Sequence, residues 1–127
     1  MSETDSIMDR TSGQGRAVSL LGLARRAGRL EAGYDSVRAA LRSKKSFLAV
    51  AAGDISDKTW KNLCYEAQRA KTPCLRLNVG MEELGRACGV RAGILSVNDR
   101  GFARAVEEAA AKSGREHADE EKEEEIL

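Results

Sequence analysis

The chain has 127 residues, 42% of them hydrophobic and only 4% aromatic, which suffices for one compact domain and a tail but not for two full domains. Its net charge of +1 conceals a basic body: from Gly114 to Leu127 two cations face seven carboxylates, leaving +6 on the remainder, a balance compatible with a polyanionic partner. Three widely spaced cysteines without a C-x-x-C pair, and one histidine (His117) in the tail, exclude the usual zinc and redox-dithiol patterns.

Met1 to Gly15 is polar, lacks the hydrophobic segment of a signal peptide and reads as disordered. From Arg16 the spacing predicts a helix whose apolar stripe is Val18, Leu20, Leu21, Leu23 and Ala24, ended by Gly28. Arg29 to Ala32 reads as a short extended link. Gly33 can open a second helix, with Asp35 and Ser36 as caps, Val37, Ala40 and Leu41 inward, and Arg38 and Arg42 outward.

Phe47 to Ala52 has the continuous apolarity of a strand buried on both faces and is far too short to span a bilayer. Asp54, at its end, either marks a ligand site or supports a turn, and the turn is the favoured reading. Ser56 caps a predicted helix to about Ala70, with Trp60, Leu63, Cys64 and Ala67 on one face. Past Pro73, Cys74 to Asn78 alternates as a strand. Met81 to Cys88 is a short helix with Met81, Leu84 and Cys88 inward, and Gly89 to Gly93 is a loop. Ile94 to Val97 is a third buried strand. Asn98 and Asp99 cap a last helix with Phe102, Ala103, Val106 and Ala110 toward the core. Beyond Gly114 the chain becomes acidic low complexity, read as a solvated tail. The domains expected are thus a disordered segment 1–15, a folded domain 16–113 and an acidic disordered tail 114–127. Alternating helices and strands argue for an α/β layered fold with a mixed or parallel sheet.

Catalytic signatures are missing. There is no phosphate loop, dinucleotide fingerprint or nucleophile elbow, and the folded part has no histidine for acid–base work near neutral pH. Cys64, Cys74 and Cys88 read as buried reduced thiols of a cytosolic protein. The remaining candidate is the basic stretch from Leu23 to Lys45. Arg25, Arg26, Arg29, Arg38, Arg42, Lys44 and Lys45 flank a glycine turn and a helix N-terminus whose free amides suit an anion. An ordinary capped surface helix with solvated arginines is an equal alternative from these residues alone.

Leu20-Leu-Gly-Leu-Ala-Arg-Arg-Ala-Gly28, Gly33-x-x-x-Val-x-x-Ala-Leu41, the strand ending Ala-x-Asp54, Leu84-Gly-Arg-Ala-Cys-Gly-Val90 and Asp99-x-Gly-Phe102 occur in a characteristic order. Together they resemble the ribosomal-protein superfamily that recognises kink-turn RNA. That resemblance covers roughly Ala17 to Val106 and implies a three-layer α-β-α sandwich around a mixed four-stranded sheet. It also implies RNA contact through the glycine turn and the second helix N-terminus, where the family motif is G-x-N-E-x-x-K. Gly33 matches the glycine, while Asp35 stands in place of Asn, Ser36 of Glu and Ala39 of Lys. The family's second contact, the loop packed against an extruded base, corresponds to Val90, Arg91, Ala92 and Gly93, with Ile94 beginning the strand.

The resemblance therefore implies a non-catalytic, cytoplasmic protein without cofactor or metal, whose partner is structured RNA of the kink-turn or ribosomal kind. Gly33, Tyr34, Asp35, Ser36 and Arg38 are expected to dock at a sharp bend, with Val90, Arg91 and Ile94 beside them. Arg25, Arg26, Arg29, Arg42, Lys44 and Lys45 are expected to neutralise phosphate. Two alternatives stay open. One is a protein-interaction module on the same fold. The other is a stand-alone substrate-binding domain like that of RNA ribose methyltransferases, in a chain too short to hold the methyl-donor domain as well.

Overall fold

A computed structural model describes residues 15–111. The expected disordered N-terminal segment, Gly15 aside, and the acidic tail lie outside the described residues. Helix α1 (15–26) leads to strand β1 (Leu30–Ala32), then α2 (Tyr34–Arg42), β2 (Leu48–Ala51), α3 (Asp57–Arg69), β3 (Cys74–Arg76), α4 (Met81–Cys88), β4 (Ile94–Val97) and α5 (100–111). The four strands form one mixed sheet in the order β1-β4-β2-β3. β4 lies antiparallel to both β1 and β2, and β3 runs parallel to β2.

The strands alternate strictly between two cores, as a period of two requires. Leu48, Val50, Leu95 and Val97 face one way, onto Leu21 and Ala24 of α1, Leu84 of α4 and Val106 of α5. Ala49, Ala51 and Ile94 face the other way, onto Val37 and Leu41 of α2 and Leu63 and Ala67 of α3. Two alanines on that second face let α2 and α3 sit close to the sheet. The three layers implied by the resemblance are therefore present, with α1, α4 and α5 on one side and α2 and α3 on the other.

Four local expectations are corrected. Arg29 to Ala32 is not a bare link, since Leu30 to Ala32 pair with Val97 to Leu95 as an edge strand. Leu23 is exposed rather than part of the buried stripe, because the α1 surface over the core is carried by Ala17, Val18, Leu21 and Ala24. Phe47 precedes β2 and is 38% exposed, with the Arg100 guanidinium 5.5 Å above its ring. Asp35 and Ser36 do not cap α2: Gly33 is the N-cap, so both lie inside the first turn, and no side-chain cap bond forms. There Asp35 still complements the positive end of the helix dipole.

Other terminators behave as their residue types dictate. Ser56 Oγ accepts the Thr59 amide at 3.1 Å, and Asp99 Oδ2 accepts that of Phe102 at 2.9 Å. Gly28 (φ 73°) closes α1 in a Schellman ending, with Arg29 N–H donating to Ala24 O at 2.8 Å. The same ending closes α2 and α3, but there the left-handed residue is a lysine, Lys44 (φ 65°) and Lys71 (φ 59°). A left-handed non-glycine residue costs about 1–2 kcal/mol, whereas glycine loses only about 0.5–1 kcal/mol of chain entropy in exchange. Lys71→Gly should accordingly raise stability by about 0.5–1 kcal/mol in urea unfolding, and Lys71→Ala should not.

Candidate nucleic-acid interface

The glycine turn is built by β1 and α2. Gly33 has φ 97° and ψ 146°, a conformation that a side chain makes costly. From there its N–H donates to Ile94 O at 2.9 Å and its carbonyl accepts Val37 N–H at 2.9 Å. The first bond fixes the turn to the first residue of β4, directly after the loop Gly89 to Gly93. The two contacts expected of the resemblance, 50 and more residues apart in sequence, are thereby brought side by side.

On this face the first-turn amides of α2 lack intrahelical acceptors, as at any helix start. Asp35, Ser36 and Ala39 are exposed. Tyr34 packs its ring partly into the core under α2, and the Arg38 guanidinium lies 5.9 Å over that ring. At that distance the ring face attracts the cation, and Arg38 is half-buried beside it. In the neighbouring loop Arg91 is exposed and Val90 is half-buried against the larger core. Ile94 is only 5% exposed and faces the core beneath α2 and α3. Its side chain is therefore buried away from the surface where an extruded base was expected, while its carbonyl accepts the Gly33 amide.

Side-chain contacts that the sequence does not announce hold this end together. Asp54 Oδ1 accepts the Met81 amide at 3.0 Å, capping α4 from 27 positions away. Arg76 donates to Ile55 O at 2.8 Å and Gly53 O at 3.2 Å, pairs with Asp57 at 3.5 Å and lies 5.5 Å from the Trp60 ring centre. Gly85 lets the loop return close to α4, since a Cβ there would sit 2.7 Å from Val90 O. No local pattern announces these long-range partners. The Asp54 turn was legible, but its acceptor role toward α4 was not.

The other expected contacts lie elsewhere. Arg29 O accepts Asn98 N–H, and Phe47 N–H donates to Val97 O. These bonds put Arg29, Lys44 and Lys45 at the end of β4 opposite Ile94, together with the C-terminus of α1 and its Arg25 and Arg26. Arg42 closes α2 there and is paired with Glu66 at 3.1 Å. Tyr34 and Arg42 are the first and last of the nine residues of α2, about 12 Å apart along the helix axis. The basic stretch that is continuous in sequence is thus divided between two ends of the domain.

The three cysteines are unbridged, with Cys88 buried and Cys64 and Cys74 half-buried. Burial, and then the adjacent Cys64, push the Cys74 thiol up to about 12. Burial also raises Cys88, against a lowering influence of Arg25. Thiols held protonated in this way are poor nucleophiles. Among the described residues no cluster of His, Cys, Asp and Glu could hold a metal ion, and no helix is long and apolar enough to cross a membrane.

Residues 16–107 match the sequence profile described as the ribosomal protein L7Ae/L30e/S12e/Gadd45 family. The RNA-binding protein YlxQ of Enterococcus faecium is 30% identical over 93 residues, spanning 73% of this chain and 89% of that protein. Large ribosomal subunit protein eL30 of Yarrowia lipolytica is 35% identical over 83 residues, spanning 64% of this chain and 76% of the relative. Among solved structures, a Bacillus halodurans protein of unknown function superposes with a TM-score of 0.70 at 29% identity, covering 74% of this chain and 95% of its own. The 15.5kD RNA binding protein of Giardia lamblia shares the fold with a TM-score of 0.61 at 19% identity, covering 77% and 84% respectively.

Proposed function

The chain belongs to the ribosomal protein L7Ae/L30e/S12e/Gadd45 family, and on that premise we propose that it binds structured RNA of the kink-turn kind, without catalysis. The observation that carries this reading is the bond from Gly33 N–H to Ile94 O, which sets the α2 N-terminus beside the Gly89–Gly93 loop. Relatives named as RNA-binding and ribosomal proteins support RNA as the partner. A ribosome-related role in the cytoplasm is the corresponding cellular setting.

Each side chain on this face has a distinct task. The Asp35 carboxylate, acceptor only, can take hydrogen bonds from exposed amino edges of bases. Ser36 both donates and accepts, and the amides of the first turn add donors that carry no charge cost. Arg38, one position before the cation of the family motif, replaces the charge absent at Ala39 and offers a phosphate contact beside Tyr34. Arg91 supplies a second cation across the turn.

Arg38 gives the sharpest test. The logarithm of affinity for a kink-turn RNA should fall linearly with the logarithm of salt concentration. Arg38→Ala should lower affinity and flatten that slope by about one unit. An unchanged slope in fluorescence titrations over several salt concentrations would remove Arg38, and with it this face, from the binding account.

A further inference from the structure

The end of the sheet opposite the glycine turn carries a second surface with its own architecture. Between the C-termini of α2 and α3 lies an open cleft of about 480 Å³, lined by Arg42, Lys44 and Arg69 together with Leu41, Glu66 and Ala70. Its one carboxylate, Glu66, is already held by Arg42 at 3.1 Å, and Lys44 Nζ donates to Ala70 O at 3.3 Å. Lys45 and Lys71 are exposed beside the cleft. Around the same end, Arg29 and Arg100 are exposed where the α1–β1 and β4–α5 links meet. Among the described residues, none of Arg29, Lys45, Lys71 and Arg100 forms an ion pair. The nearby carboxylates are engaged as well: Glu31 accepts from Asn98 at 2.8 Å, and Asp99 accepts the Phe102 amide.

Ordinary structural needs explain only part of this charge. Cations at helix C-termini complement the dipole, which accounts for Arg42 and Lys44. Arg100 does the reverse, standing in the first turn of α5, where a cation is disfavoured. Lys44 and Lys71 each occupy a left-handed position at which glycine would be relaxed. Arg100 thus stands at this end against the helix dipole, and Lys44 and Lys71, though favoured by the dipole, stand there against backbone preference, the kind of conflict that concentrates at functional surfaces.

We propose that this end is a second RNA-binding surface, which grips backbone phosphates without reading sequence and acts separately from the glycine turn. This surface lies at least the length of α2 from Gly33, so the two surfaces contact different groups of the RNA. It does not rest on the kink-turn reading, because unpaired exposed cations around a cleft recognise phosphate whatever the other end selects.

The test uses the full chain and two labelled RNAs, a straight duplex of about 16 base pairs and a kink-turn hairpin. The variant is Arg29→Gln combined with Lys44→Gln, Lys45→Gln and Lys71→Gln, all exposed positions, with folding checked by circular dichroism. Duplex affinity should fall at least about tenfold at roughly 0.1 M salt, and the salt slope should lose about three units. Any preference for the kink-turn hairpin over the duplex should be retained. Unchanged duplex affinity and slope would overturn the proposal, as would wild-type protein that binds neither RNA, or an equal loss of duplex binding on Arg38→Ala. Wild-type protein that shows no kink-turn preference, yet loses duplex binding in the fourfold variant, would sink the glycine-turn reading and uphold this surface.

Discussion

Gly33→Ala should destabilise the domain by about 1–3 kcal/mol and weaken binding to kink-turn RNA by roughly tenfold or more. The residue sits at φ 97° and ψ 146° with nothing within 4 Å of where a Cβ would be. The penalty is therefore backbone strain, not crowding. To relieve it the chain must rotate φ toward negative values, which swings the Gly33 amide away from Ile94 O and tilts the first turn of α2. The amides and short side chains from Tyr34 to Ser36 then lose register with the Gly89–Gly93 loop. Losing one well-placed base contact costs about 1–3 kcal/mol, hence the roughly tenfold change. Gly28→Ala is the control. It too is left-handed, at φ 73° with open space around it, but it lies at the other end of the sheet. It should cost stability and leave the preference for kink-turn over straight RNA intact.

Leu95→Ala should cost about 2–5 kcal/mol in urea unfolding, the largest stability loss among the substitutions considered. Leu95 is fully buried in β4, the strand paired on both sides, and packs in the cluster that includes Leu48, Val50 and Val97. Close-packed neighbours on both adjoining strands limit collapse into the space left behind, so both the transfer and the cavity contributions are felt. Leu23→Ala, on the exposed side of α1, should stay within about 0.5 kcal/mol. The contrast between the two leucines checks the assignment of the α1 face.

What could be read from the chain follows from which forces are local. The bounds of α4 and β4 were legible to the residue, because Gly80, Gly89 and Gly93 punctuate an amphipathic octad and a continuous apolar run. Ser56 and Asp99 announced their helices for the same reason. β1 was not legible: three residues, only Leu30 of them buried, become a strand by pairing with Val97 to Leu95, more than 60 positions away. Nor was the exposure of Phe47, since an aromatic at the head of an apolar run looks like core until Arg100 is seen above it.

The candidate site divides along the same line. Gly33 and the helix start after it were visible because glycine at a link between a short extended segment and a helical pattern has a conformational meaning. The cations from Arg25 to Lys45 do not lie in one patch. A strand followed by a nine-residue helix carries the chain from one end of the sheet to the other and back, so neighbours in sequence become opposites in space. The bond that makes the glycine turn and the 89–93 loop one surface is equally non-local.

The central claim, that the glycine turn and its adjoining loop select bent RNA, is tested most directly by a competition titration. Full-length protein bound to a labelled kink-turn RNA is challenged with unlabelled kink-turn RNA and with a straight duplex of the same composition. Selection at the glycine turn predicts that the straight duplex competes at least about tenfold less well, a difference of about 1.4 kcal/mol. Equal competition by the two RNAs would contradict it.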